Sequence, residues 1–216
     1  MTNKNFTIER KNKITRLPKR GHYDEKTIHS ILDEVLSCTI AFTKDGIPFQ
    51  IPTIYCRIGN SIFIHGSVGA GYMRVMEEKN TLVNICVHIL DGLVLARSAF
   101  HQSANYRSVV IFSHAKVVKN RKKIIKVLEE LTNRIHPKRW SDVREITEKE
   151  FLVTRIYEFP IESVSAKIRT GPPIDEESDY NSKFWAGVIP LETKRGKVIP
   201  DPRLNPKIKT PKYLLG

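Results

Sequence analysis

Cysteine is scarce in this chain of 216 residues, and no long apolar run occurs in it. The three cysteines, Cys38, Cys56 and Cys86, are widely separated and odd in number, which argues against a disulfide framework. Each sits in an apolar stretch, so the expected state is a buried free thiol in a reducing compartment. No stretch approaches the ~18 apolar residues that a membrane span needs. The basic N-terminus lacks the apolar core of a secretory signal. The expected compartment is therefore the cytoplasm, with no membrane partner. Metal-binding spacings (Cys-x-x-Cys, His-x-His, His-Glu-x-x-His) are missing, so no metal site is expected. No Gly-x-Ser-x-Gly elbow supports a hydrolase. The run from Gly66 to Gly71 lacks the Gly-x-Gly-x-x-Gly spacing of a dinucleotide fold, and no Gly-Lys-Ser/Thr follows it.

What the chain has in excess is positive charge, a formal net of +13. Residues 1–20 carry seven Lys or Arg against Glu9, and residues 194–216 carry seven against Asp201. The body between them, 21–193, is almost neutral. This predicts three segments: a basic N-terminal extension (1–20), one folded domain (21–193) and a basic C-terminal tail (194–216). A nucleic-acid module carries its basic stripe on the folded body. Nucleic acid is therefore not the expected partner, and the ends read as solvated or partner-facing tails.

Along the body, Asp24 reads as an N-cap before Ile28, Ile31, Leu32, Val35 and Leu36 at helical spacing. Apolar runs around Lys44-Asp45-Gly46 predict a hairpin, and Gly59-Asn60 a second turn into the strand SIFIH. Residues 82–96 read as two strands broken at Asp91-Gly92. A long strand follows through RSVVIFSHAKVV, then a helix over 122–135 with Ile124, Leu128, Leu131 and Ile135 on one face. FLVTRIYEFPI and ESVSAKIR complete the set, with an ordered return near Trp185. Hairpin-linked strands with few helices predict a mainly β fold: an antiparallel split β-barrel with short flanking helices.

Four polar or glycine-rich clusters interrupt this pattern. In Gln50-Ile51-Pro52-Thr53-Ile54-Tyr55 the proline cannot donate to a ladder, so the strand is at an edge or distorted there. His65-Gly66-Ser67 through Gly71-Tyr72-Met73-Arg74 is a strand entering a glycine-rich loop and a helix, a setting suited to a phosphate. Arg97-Ser98 and Asn105-Tyr106-Arg107-Ser108 are dense in hydrogen-bonding side chains between strands. Each also has a plain structural use as turn, cap or surface ion pair, and by themselves they support no more than an anion site on a barrel.

Taken together, LARSAFHQSANYRSVV, SAKIRTGPPID and WAGVIPL, with QIPTIY and IFIHGSVGAGYMRVM before them, resemble the pyridoxamine 5′-phosphate oxidase-like superfamily, in its flavin-nucleotide-binding branch related to nitroimidazole-resistance proteins. The resemblance covers roughly residues 20–200. It implies a homodimer with FMN at the subunit interface, and an oxidoreductase passing a hydride or electron pair between a small substrate and FMN. The alternative is a flavin- or haem-binding carrier or sensor without turnover. By position, the resemblance places Pro52, Thr53 and Tyr55 beside the flavin ring, and His65, Gly66 and Ser67 at its polar edge or ribityl chain. It places Gly71, Tyr72 and Arg74 at the phosphate, although the usual Arg-Lys pair is replaced there. Arg97, Ser98, Asn105, Arg107 and Ser108 come from the partner subunit or complete the phosphate shell, and Trp185 closes over the flavin. Only an echo of the substrate-phosphate segment of vitamin B6 oxidases is present, so pyridoxine phosphate is not the expected substrate.

Overall fold

A computed structural model describes residues 4–69, 71–78 and 81–215. The elements run β1 (Gly21–His22), α1 (Glu25–Glu34), β2 (Ser37–Lys44), β3 (Ile47–Ile58), β4 (Ser61–Ser67), α2 (Gly71–Glu77), β5 (Leu82–Leu95), β6 (Ser103–His114), β7 (Lys116–Val117), α3 (Arg121–Ile135), α4 (Glu148–Val153), β8 (Thr154–Pro160), β9 (Ser163–Arg169) and β10 (Gly187–Pro190). The strands join in the order β1-β9-β6-β5-β2-β3-β4-β8-β7, with β10 added on β5. Every pairing is antiparallel, so the split barrel of the sequence analysis is the fold.

Local chemistry sets most boundaries. The Asp24 carboxylate accepts from Thr27 N at 2.9 Å and starts α1. Asp45 and Gly46 both take positive φ, 51° and 77°, closing the β2–β3 hairpin with the twist that strands prefer. Three readings shift. Val35 and Leu36 lie beyond α1, which ends at Glu34. Residues 82–95 form one strand, because Asp91 is taken up as a β-bulge between Leu90 and Gly92. Phe151–Val153 belong to α4, since Thr147 and Glu150 form a reciprocal capping box that favours a helix there.

β3 divides the barrel. Residues 47–54 pair with β2, and residues 55–58 pair with β4. The main core lies between the sheets, where Ile40, Phe42, Ile85, Val109 and Val164 meet Ile62, Ile64, Tyr157 and Phe159 under α1. Phe63 points the opposite way, with Cys56 and Ile156, against Val127 and Leu131 of α3. Strand β4 is thus buried on both faces, which explains its unbroken apolar run Ile62-Phe63-Ile64.

The two ends are docked on the body. Asn12 is 3% exposed and donates to Val164 O, and Phe6 N donates to Tyr23 O at 2.9 Å. At the other end the Tyr213 hydroxyl donates to Asp142 at 2.6 Å, and its ring lies against His136. The chain from Lys4 to Arg20 and the last residues to Leu215 therefore pack on the barrel rather than standing away from it. No helix among the described residues is long and apolar enough to cross a membrane.

Candidate functional site

The barrel opens where β3 and β4 part. The β3–β4 ladder ends at Tyr55↔Ile64. Beyond it β4 stays with β8, through His65↔Ile156, Gly66↔Arg155 and Ser67↔Thr154. β3 stays with β2, through Ile54↔Ser37, Thr53↔Cys38 and Pro52↔Thr39. The edge of β3 at 48–54 and the end of β4 at 65–67 are thus the two walls of one split. Two clusters far apart in the sequence analysis, Pro52-Thr53 and His65-Gly66-Ser67, come together here.

The β3 wall is depleted of donors. Tyr55 N donates inward to Leu36 O at 3.2 Å, so the odd-numbered residues of this segment turn their N–H groups to β2 and the even-numbered ones outward. Pro48 and Pro52 fall on the outward set. The open edge therefore shows the carbonyls of residues 48, 50, 52 and 54 but only the N–H groups of Gln50 and Ile54. A strand would dock there poorly, whereas a ligand with N–H donors meets acceptors. The edge expected from Pro52 is real, and Pro52 is exposed. Thr53 is half-buried.

On the opposite wall His65 and Ser67 are exposed, and the Ser67 hydroxyl accepts from Gly69 N at 3.2 Å. Atoms packed round the His65 ring push its pKa below the ordinary value by desolvation, although one side stays open to water. Gly66 is required for a packing reason: a Cβ there would lie 2.1 Å from Met73 Sδ. Its absence lets α2 sit down on the end of β4. Gly71 opens α2, and Arg74 projects from that helix, exposed, with no ion pair recorded among the described residues. The Tyr72 side chain lies outside the described residues.

The remaining candidates are engaged elsewhere. Tyr55 stands at the apex of the split, but its ring is fully buried in the core and its hydroxyl donates to Leu32 O at 2.5 Å. It offers no surface to a ligand, which corrects its placement beside a flavin. Arg97 donates through Nη1 to Asp175 at 3.0 Å and lies over the Tyr180 ring. Ser98 caps the turn Ala99–His101. Asn105 is bonded to Arg169 and to Gly171 O, and Ser108 to Lys167 O at 3.3 Å. Arg107 holds both Asp91 (2.7 and 2.9 Å) and Glu34. Its guanidinium pKa is raised by Asp91 first and then by Glu34. Arg74, Arg97 and Arg107 thus have separate surroundings within one chain. Trp185 is 70% exposed and stands over Gly187, where a Cβ would lie 2.7 Å from its ring.

The acids that occupy these arginines, Glu34, Asp91 and Asp175, leave little trace in the sequence. Only the bulge-prone Asp91-Gly92 pair and the run Asp175-Glu176-Glu177-Ser178-Asp179 hinted at them. Arg107 and its two acids form part of a cleft of about 990 Å³ with exposed Leu36, Leu90 and Leu191, and with Arg134, Lys194 and Arg195. Burial pushes the Cys38 and Cys56 thiols up to about 12, so neither is a nucleophile.

Flavocytochrome Anf3 of Azotobacter vinelandii is 31% identical and matches 96% of both chains with a TM-score of 0.90. The FAD and haem binding protein of Mycobacterium smegmatis is 30% identical over 91% of this chain and 98% of its own, with a TM-score of 0.85. A Bacteroides thetaiotaomicron protein assigned to 5-nitroimidazole antibiotic resistance shares the fold at 15% identity, with a TM-score of 0.58. No curated protein sequence matches. Residues 24–168 match the pyridoxamine 5′-phosphate oxidase family, and the chain belongs to it.

Proposed function

We propose that this protein is a flavin-binding redox protein, working as a homodimer, whose flavin lies in the split between β3 and β4. The observation that carries the reading is the nearly end-to-end likeness to a flavocytochrome and to a protein that binds FAD and haem, at 31% and 30% identity. The residues of the split fit such a group. Outward carbonyls on β3 can accept from a ring N–H, His65 and Ser67 can meet a polyhydroxyl chain, and Arg74 is an uncommitted cation for a phosphate. When bound, the flavin supplies the capacity to take or give an electron pair, and the protein tunes it.

The part of this chain is positional. The β3 edge orients a flat ring through its carbonyls. The largely neutral His65 offers one ring N–H and one acceptor. Trp185 is placed on an exposed segment that can exclude water from a neighbouring face. Arg97 and Arg107 act first as internal ties, and reach a flavin only if a second copy presents them. Exposed Leu90, Leu93 and Ile189 on β5 and β10 supply apolar surface for that second copy. FAD is favoured over the FMN implied by the sequence resemblance, because the Mycobacterium relative named for FAD spans nearly the whole chain.

Haem is the second reading, favoured by the same two relatives. The large cleft does not support it within one chain: its lining holds no His, Cys, Met or Tyr to ligate the iron. A visible spectrum of purified protein tests both readings, followed by chromatography of the flavin released on heating. Flavin bands with released FAD are expected. A protein that stays colourless after incubation with excess FAD or FMN and desalting overturns the proposal, and a Soret band brings in haem.

A further inference from the structure

The geometry points to a divalent transition-metal site formed by His101, Asp175 and Asp179, clipping the segment that precedes Trp185 onto the β5–β6 connection. One ligand atom from each of the three residues lies within 4.8 Å of the other two. In a tetrahedral site with bonds of 2.0–2.1 Å, ligand atoms stand about 3.4 Å apart. Small torsions of two partly exposed side chains, His101 and Asp179, close that difference. Asp175, the third, is already fixed: its side chain is fully buried and accepts from Arg97 through both N–H and guanidinium.

His101 can take the tautomer a metal needs. Its Nδ1 lies 2.9 Å from Ser98 Oγ, and with the Nδ1 proton donated there, Nε2 keeps its lone pair. That Nε2 faces carboxylates, with Glu176 at 3.6 Å. The turn carrying His101 is rigid, because Gln102 bonds to Ala96 N, Ala96 O and Ser98 O. The charges agree: residues 175–179 bring four carboxylates together, and the ion pairs recorded there among the described residues are those to Arg97 and His101. One imidazole with two or three carboxylates suits Zn²⁺ or Mn²⁺. His101 lies far in the chain from Asp175 and Asp179, so no spacing motif could announce the three together.

Zn²⁺ titration of the full-length protein, first stripped with chelator, tests the site by calorimetry and thermal melting. Wild type is expected to bind one Zn²⁺ per chain and to melt at higher temperature with it. His101→Gln and Asp179→Asn are each expected to weaken binding by about tenfold or more and to lose the melting shift. Asp179 is partly exposed, so Asp179→Asn stays informative if His101→Gln folds poorly. Absence of binding by wild type, or undiminished binding by Asp179→Asn, overturns the site.

Discussion

Two polar regions of this barrel looked alike as sequence and differ as structure. The β3–β4 split carries Thr53, His65 and Ser67, and exposed Arg74 on the following helix α2 has no carboxylate on it among the described residues. The β5–β6 region carries Arg97, Asn105 and Arg107, every one tied to another segment: Arg97 to Asp175, Asn105 to Arg169, and Arg107 to Asp91 and Glu34. Density of polar residues marks both regions equally. What separates them is whether an acid from elsewhere has reached the arginine first. An arginine whose charge is already paired inside the fold has less left for an anionic ligand, whereas an exposed and unpaired one keeps its capacity.

The sharpest way to break this contrast is to remove the tie at Arg107. Arg107→Ala leaves Glu34 and Asp91 without their shared cation and should lower unfolding free energy by about 2 kcal/mol. That value sits below the buried-pair range because 26% of the arginine side chain meets solvent. Urea denaturation checks it, and a change under 0.5 kcal/mol would mean that Arg107 is as free as Arg74. Gly66→Ala comes next. Its Cβ would press on buried Met73, with an expected loss of about 1 kcal/mol. Adding Met73→Ala should remove most of the interference in a double-mutant cycle; simple additivity would show that α2 does not rest on Gly66.

The fold was legible because it rests on local chemistry. Asp24, Asp45-Gly46 and Gly59-Asn60 fix caps and turns wherever they occur, and Pro52 announced an open edge through its missing N–H. Placement of the four clusters was legible only in part. Pro52-Thr53 and His65-Ser67 do line one split, since both flank the point where β3 leaves β4. Tyr55 misled, because alternation alone does not say that a strand residue at the apex of the split faces inward. Asp175, Asp91 and Glu34 were invisible as partners, because an ion pair between distant segments leaves no local pattern. The same holds for His101 with Asp175 and Asp179.

The smallest expected effect lies at the start of α4. Glu150 is held down at about 2 by the Arg144 hydrogen bond first and the Thr147 cap next. A depressed folded value means that its contribution is present above the ordinary glutamate range and is lost as pH falls toward 2. Glu150→Gln should therefore flatten acid destabilisation slightly below pH 4.5, the ordinary value, as seen in thermal melts. An unchanged acid limb would assign that loss to other carboxylates.

Arg74 decides the matter between the two regions. Arg74→Ala should leave stability within about 0.5 kcal/mol of wild type and weaken flavin binding by roughly tenfold or more, the cost of one charge-assisted contact. Fluorescence titration of both proteins with FAD and with FMN is the measurement. Saturable binding to wild type at about one flavin per chain, weakened in the variant, is the predicted result; equal affinity in the two proteins, or no binding by either, would contradict a flavin in the split.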